Sequence, residues 1–309
     1  MIAVTRSEKA FRAANYFFLT LLGFITLYPF YYVAVLSLSD PELPSPYFWI
    51  NVDNLYVMNY KVVFTEPGLG QAYFISICRV AVGVTLMLLV TGSAAFALTK
   101  KNLKLRTGVI VFFMVTMFFS GGLIPYYLLL KALGLLDTFW VLVVPGVFSI
   151  WTMIVMKTSF QNLPEGLVEA ARMDGASYLR VFFQIVLPLS KPMLAALSLF
   201  HAVGLWNEWF AGAFFITNRK LKPLQTFLQD IILRFSLENL LSQTNWQEEM
   251  LMDRFRFLNS YEQARELQKL SSRSMESAYV MVAVVPIVCL YPFLQRYFVK
   301  GVLIGAIKE

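Results

Sequence analysis

The chain has 309 residues, of which 58% are hydrophobic and only 15% are charged. Soluble domains are usually about 45–50% apolar and about 25% charged, so the composition excludes an ordinary soluble globular protein. The net charge of +7 fits basic cytoplasmic loops of a membrane protein better than nucleic-acid binding. One histidine and two cysteines give neither a metal cluster nor a disulfide framework.

Six apolar runs are long enough to cross a membrane as helices, which takes about 20 residues for roughly 30 Å of hydrocarbon. These runs cover residues 16–38, 72–98, 109–130, 139–156, 181–205 (with an apolar continuation to 216) and 278–299. Several prolines lie within or beside the runs, as in the broken helices of many transporters. We predict an all-α integral membrane protein of about six transmembrane helices, forming one transmembrane domain over 1–309.

Basic residues are concentrated on one side of this six-span arrangement. The N-terminal segment 1–15, the 99–107 loop, the connection between spans 4 and 5, and the C-terminal tail are all rich in Lys and Arg. The opposite short loops contain Lys61 and Lys131 as their basic residues, together with several acids. The positive-inside rule therefore predicts that both termini lie in the cytoplasm.

The connection between spans 4 and 5, residues 159–180, has the signals of a helix, a tight turn and a second helix. Pro164 and Glu165 suit the first turn of a helix, and Gly175 permits a left-handed stop. Ser177 can then cap the next helix. We predict that this helical pair lies on the cytoplasmic surface.

Two interpretations of this helical pair remain open from the residues alone. Its small alanines permit the close approach of a partner, and Glu169 and Asp174 offer charges for pairing across an interface. The pair then serves as a docking element. In the alternative, it is an amphipathic connector that packs on its own helical bundle.

The connection between spans 5 and 6, about 217–277, is long and has balanced charge, so the positive-inside rule does not apply to it. Its later part, 246–270, has apolar residues at three- and four-residue spacing. This pattern predicts an amphipathic helix outside the membrane. We expect an outer helical insertion that packs on the transmembrane body or on a partner.

A signature in the 159–180 connection and the following span resembles that of a known family. Glu169-Ala170-Ala171, then Gly175, then Ile185-x-Leu187-Pro188 is similar, in residue type and spacing, to the cytoplasmic signature of permease subunits of bacterial ABC importers. In that family the segment forms a coupling helix that sits in a cleft of the ATPase subunit. The resemblance implies that the residues coupling the chain to the ATPase are Glu169, Ala170, Ala171, Arg172, Asp174 and Gly175.

Other stretches are similar to the oligosaccharide (carbohydrate) branch of this family. They cover residues 121–125, 133–138, 206–209 and 295–301. The likeness extends over 17–308 and departs at the 217–277 insertion, which maltose-type permeases mostly lack. The insertion is closer to the members that handle complex or uronic-acid oligosaccharides.

The resemblance implies a permease of the bacterial cytoplasmic membrane that works by alternating access and is not an enzyme. No catalytic residue, metal site or cofactor is expected in this chain, which has no Walker-type phosphate loop; ATP and Mg would bind the partner ATPase. The implied partners are a homologous second permease subunit, two ATPase subunits, an extracellular solute-binding protein, an oligosaccharide and membrane lipid, with no nucleic acid. An ion- or proton-coupled secondary transporter is the alternative, and a membrane-embedded enzyme ranks last.

Polar groups flanked by indole rings occur near the fifth span and suggest a substrate path, because indoles can stack on the apolar C–H faces of sugars. The candidates are Trp151, Trp206, Asn207, Glu208 and Trp209. Alternatively, the tryptophans anchor spans at the membrane interface and the polar pair binds another helix. For Arg79, near the start of the second span, snorkelling to the outer edge is expected over pairing with an acid.

Overall fold

A computed structural model of the chain describes residues 6–39, 55–234 and 274–289. Within these ranges the ordered elements are helices, and no strand occurs. They are α1 (Arg6–Ser37), α2 (Met58–Thr65), α3 (Leu69–Ala97), α4 (Arg106–Phe118), α5 (Leu123–Ala132), α6 (Ile150–Gln161), α7 (Glu165–Met173), α8 (Tyr178–Val181), α9 (Leu187–Leu189), α10 (Lys191–Asn207) and α11 (Phe210–Phe215). Helical residues 224–234 and the helix Ser274–Cys289 complete the described part.

The chain divides into two compact units, one of Met1–Pro67 with Asp230–Val285 and one of Gly68–Gln229 with Pro286–Glu309. In the first unit, the end of α1 is fastened to α2 by polar contacts. The Ser37 hydroxyl lies 2.7 Å from the Tyr60 hydroxyl, and the buried Asn59 amide donates to the Ser37 carbonyl at 3.1 Å. This contact was not anticipated, because α2 lies in a loop of the six-span prediction.

Two helices in the described part are each long and apolar enough to cross a membrane. They are Ser7–Ser37, within α1, and Leu69–Ala97, which is α3. They agree with the first two predicted spans, 16–38 and 72–98. Only 6% of the most apolar window of Ser7–Ser37 is buried, so this helix presents its apolar side chains outward, as a lipid-exposed helix does.

The next three predicted spans are bent helix pairs, so continuous helices do not form there. The pair Arg106–Phe118 and Leu123–Ala132 bends by 120°, Phe139–Gly146 and Ile150–Gln161 by 48°, and Tyr178–Leu189 and Lys191–Asn207 by 85°. Counting each pair as one span gives up to five spans among the described residues.

Each break has a local cause in the sequence. Gly122 takes a left-handed φ of +82° between α4 and α5. Pro145 lies in the short 3₁₀ turn before α6, and Ser190, at the third break, stands between Pro188 and Pro192. Proline lacks the amide donor that a continuous helix needs, so these positions favour a bend.

The second unit is built around α3, which packs against α6 and α10. Its core contains the rings of Phe96 and Phe182, whose centroids lie 5.6 Å apart, and the fully buried Met87, Met153 and Met156. Because α3 is unbroken over 29 residues, it is a continuous helix against which α6 and α10, the second members of two bent pairs, pack.

The sixth predicted span, 278–299, is helical over its described part, within Ser274–Cys289. In the 217–277 insertion, the structure shows a 3₁₀ turn at Arg219–Leu221 and helical residues 224–234. The Ser76 hydroxyl on α3 accepts a bond from the Leu224 amide at 2.8 Å, which fastens the start of the insertion to the bundle. The amphipathic helix predicted over 246–270 and the 295–301 stretch lie outside the described residues.

Candidate coupling segment and substrate path

The connection between α6 and α10 folds as a helix, a turn and a helix, which confirms the local prediction. Gly175 has a φ of +81° just past the end of α7. The Ala176 amide donates to the Ala171 carbonyl at 2.9 Å, and the Gly175 amide donates to the Arg172 carbonyl at 3.1 Å. These two bonds form a Schellman motif, which closes α7 and satisfies its last carbonyls.

The following helix begins as the sequence predicts. The Ser177 side chain accepts a bond from the Arg180 amide at 3.3 Å and thereby caps α8. A π-helical turn, Phe182–Val186, continues α8 into α9. Phe182 and Val186 are buried in the core, so this second helix is part of the bundle while α7 lies beside it.

α7 has two different faces. Val168 and Ala171 are half-buried and pack on the hydrophobic core of the second unit. The opposite face is exposed, and Met173 at its end has 88% of its surface accessible. Of the candidate coupling residues, all but Ala171 are exposed, namely Glu169, Ala170, Arg172, Asp174 and Gly175. One face of the helix is therefore packed on its own bundle, and the other face is exposed.

Two cations lie against the Tyr178 ring, one from α7 and one from the chain that follows α3. The Arg172 guanidinium lies 4.3 Å from the centre of the Tyr178 ring and donates to the Ala176 carbonyl at 3.0 Å. The Lys100 ammonium lies 5.4 Å from the same ring and 4.5 Å from the Phe96 ring of α3. Tyr178 thus links α7 with the chain that leaves α3, through cation–π contacts.

The candidate path residues of the fifth span gather at a break between α10 and α11. α10 ends at Asn207, which is exposed, and Trp209 is also exposed. Trp206 is buried, with its ring 6.3 Å from the Tyr73 ring of α3. Trp151 lies on a different helix, in the first turn of α6, and is exposed. A role in a substrate path remains a prediction for all of them.

Glu208, in this break, forms an ion pair with Arg79 of α3. Arg79 Nη1 also donates to the Glu208 carbonyl at 2.8 Å, and Nε donates to the Leu142 carbonyl at 3.0 Å. The other carboxylate oxygen of Glu208 accepts a bond from the Ala211 amide at 2.7 Å, at the start of α11. The Arg79 side chain is only 3% exposed and that of Glu208 is 34% exposed.

The expectation that Arg79 snorkels to the outer edge is therefore wrong. Burying an unpaired guanidinium costs free energy. A carboxylate and two backbone carbonyls stabilise the guanidinium more than partial exposure would. The signal in the sequence was complementary charge, because one apolar run carries an arginine and another carries an acid. The pairing of Glu208 with another helix matches the alternative kept open for that residue.

A second set of polar contacts, which we call the Asp137 staple, lies outside the predicted sites. Asp137 has a φ of +58°, and its carboxylate accepts bonds from the Thr217 and Asn218 amides, both at 2.8 Å. Its own amide donates to the Phe215 carbonyl at 2.9 Å. The loop after α5 is thereby fastened to the chain that follows α11. The sequence marked this residue only as part of the 133–138 resemblance.

Comparison with known proteins finds a matching family and several relatives of this chain. Residues 86–304 match the model of a family described as "Binding-protein-dependent transport system inner membrane component". The chain is 36% identical to Protein LplC of Bacillus subtilis, in an alignment that covers 98% of this chain and 97% of LplC. It is 30% identical to the polygalacturonan/rhamnogalacturonan transport system permease protein YtcP of the same organism, covering 97% and 99% of the two chains.

A solved structure is similar over nearly the whole length. It belongs to a bacterial ABC transporter involved in the import of the acidic polysaccharide alginate. The TM-score is 0.78 at 25% sequence identity, and the match covers 96% of this chain and 100% of that chain.

Proposed function

Because this chain belongs to the family of inner membrane components of binding-protein-dependent transport systems, we propose that it is the permease subunit of an ABC importer for an oligosaccharide. A member of this family is a transporter permease and not an enzyme, so ATP hydrolysis is assigned to partner ATPase subunits. An extracellular binding protein would deliver the sugar, and a second permease would complete the pathway. The family match gives no support to the alternative of a secondary transporter.

The observation that carries the proposal is the two-faced geometry of α7. Its exposed face combines an acid, Glu169, with the small Ala170 and the protruding Met173. Its other face enters the core through Val168 and Ala171. A helix that is bound to the bundle on one side and open on the other can receive a push from a partner and pass it inward.

The transmission follows from the contacts of that segment. When the ATPase subunits close on ATP, they would displace α7, which moves the core through Val168 and Ala171. The ring of Tyr178 offers a second route, since Lys100 links it to the end of α3. Binding of ATP and of the loaded binding protein would then favour one of two conformations of the bundle, which is alternating access.

For the substrate, the names of the relatives support an oligosaccharide, and two of them point to acidic sugars. The described part of the insertion carries exposed Arg219 and Lys220 in its 3₁₀ turn. Cations at this place suit uronate carboxylates. We expect cells that carry the transporter to take up oligogalacturonides, and unlabelled oligogalacturonide to compete better than maltotetraose. Equal competition by both would remove the preference for acidic sugars.

The membrane orientation is also part of the proposal. Both termini and α7 would face the cytoplasm, as the distribution of basic residues predicts. The break at Glu208 and the Asp137 staple would then lie toward the outer side, where sugar enters. Trp206, Asn207, Glu208, Trp209 and Trp151 remain the candidates for the path.

The test is co-purification from native membranes after gentle extraction, with the tagged parent compared with Glu169→Arg and Gly175→Pro. We expect an ATPase subunit and a second permease with the parent, and loss of the ATPase from both variants. Glu8→Arg is the matched control, because Glu8 is an exposed acid outside α7 and the charge change is the same. An ATPase that stays bound to Glu169→Arg would reject α7 as the docking element. A parent that never retains an ATPase would reject the importer.

A further inference from the structure

Arg79 holds two separate breaks of the backbone at once. Its Nε donates to the Leu142 carbonyl, in the 3₁₀ turn Phe139–Leu142 that precedes α6. Its Nη1 donates to the Glu208 carbonyl, where α10 has ended. Its Nη2 pairs with the Glu208 carboxylate. One guanidinium therefore connects the unbroken α3 to the fourth and fifth predicted spans.

The two carbonyls are groups that a broken helix leaves without a helical partner. In hydrocarbon no water is available to such groups, so each needs a donor from the protein. Arginine suits this task because its fork of donors is planar and fixed, and it keeps its charge when buried. The carboxylate of Glu208 balances that charge, and it also caps α11 through the Ala211 amide.

We propose that Arg79 is a positioning residue of the substrate path, which fixes both breaks to α3 and thereby holds Asn207 and Trp209 in place. The word path rests on the function proposed above, whereas the anchoring rests on the contacts alone. The bonds to the two carbonyls do the anchoring, and the ion pair balances the charge of the buried guanidinium.

The test is thiol accessibility in a chain whose own cysteines are replaced by Cys78→Ala and Cys289→Ser. Val143→Cys places a near-isosteric thiol, the turn reporter, at a fully buried position next to Leu142. Val181→Cys supplies the core reporter, a matched control that is equally buried but lies in the core around Phe182. Each reporter is combined with Arg79→Met, with Arg79→Lys, and with the charge exchange Arg79→Glu plus Glu208→Arg. Alkylation by N-ethylmaleimide in native membranes is followed by mass spectrometry.

We expect Arg79→Met and the charge exchange to raise the labelling rate of the turn reporter by about tenfold or more, with the core reporter unchanged, because the unbonded carbonyls let the turn open. Arg79→Lys keeps the charge but has fewer donors, so its labelling rate at the turn reporter should lie between those of the parent and Arg79→Met. Protection of the turn reporter in the charge exchange would overturn the proposal, since the ion pair alone would then suffice. The proposal would also be overturned if, in Arg79→Met and in Arg79→Lys, the turn reporter were labelled at the same rate as the core reporter. The assay needs neither sugar nor ATPase, so its outcome is independent of the importer assignment.

Discussion

Gly83 of α3 and Leu205 of α10 lie so close that a Cβ atom on Gly83 would stand 2.5 Å from Leu205 Cδ1. Small residues allow helices to approach in this way within membranes. We expect Gly83→Val to lower the free energy of unfolding of the detergent-solubilised protein by about 1–3 kcal/mol, which is the usual cost of overpacking. Gly83→Ala should cost less, because the end of the Leu205 side chain can shift.

The matched control is Gly70→Val, on the same helix, where a Cβ would meet nothing within 4 Å. Both variants carry the same residue change on the same helix, so the added side-chain volume is equal in the two. Thermal unfolding followed by tryptophan fluorescence measures the difference. If Gly83→Val and Gly70→Val unfold at the same temperature, the close packing of α3 on α10 is refuted.

Thr91 of α3 supports the break before α6. Its hydroxyl donates to the Val147 carbonyl at 2.8 Å and accepts from the Ser149 amide at 3.4 Å, and the residue is fully buried. Thr91→Val keeps the shape and leaves both backbone groups without this partner, so we expect a loss of about 1–3 kcal/mol. Thr91→Ser should restore most of it, as measured by the same unfolding assay.

Thr85→Val is the control for this change. Thr85 lies on the same helix, is exposed, and donates to the Ala81 carbonyl of its own helix at 2.8 Å. Its loss should be within about 0.5 kcal/mol, since that carbonyl is already in a helical bond. Equal losses at Thr85 and Thr91 would mean that the hydroxyl at the break has no special role.

The sequence predicts features that depend on local signals. The bounds of α3 follow from an uninterrupted apolar run, and the end of α7 follows from Gly175 and Ser177. The partner of Arg79 lies 129 residues away in the chain, and hydropathy carries no record of which buried charges meet. The positions of the breaks are likewise set by tertiary partners such as Thr91. Proline and glycine show where a bend is permitted, but they do not show its angle.

Gly175 determines how α7 ends. At its φ of +81° a side chain is strained even though a Cβ would meet open space. We expect Gly175→Ala to cost about 1 kcal/mol and to loosen the Schellman turn, with less ATPase recovered in co-purification. Gly166→Ala, inside α7 and also open around its Cβ, is the control and should leave the recovery unchanged. Reduced recovery in both would point to α7 helicity in general and away from the turn.

Asp137 fastens two loops, so its loss should expose the chain after α11 to protease. Arg219 and Lys220 follow the two amides that donate to its carboxylate, and both are trypsin sites. We expect Asp137→Ala to speed cleavage there by about tenfold, because the one oxygen that accepts both bonds, Asp137 Oδ1, is lost and alanine tolerates the left-handed backbone poorly. Asp137→Asn keeps one acceptor oxygen and tolerates that backbone, so its cleavage should stay near that of the parent.

The trypsin experiment also tests the orientation of the chain. With protease added outside spheroplasts, cleavage after Arg219 and Lys220 should occur, whereas Arg172 and Arg180, beside α7, should be reached only after the membrane is opened. Asp174→Ala is the matched control, because this exposed acid lies at the end of α7 and its loss leaves the Asp137 staple intact. If Asp137→Ala and Asp174→Ala are cleaved at the same rate after Arg219 and Lys220, the carboxylate of Asp137 does not hold the loops together. Cleavage at Arg172 from outside would reverse the proposed orientation, and α7 could then no longer meet a cytoplasmic ATPase.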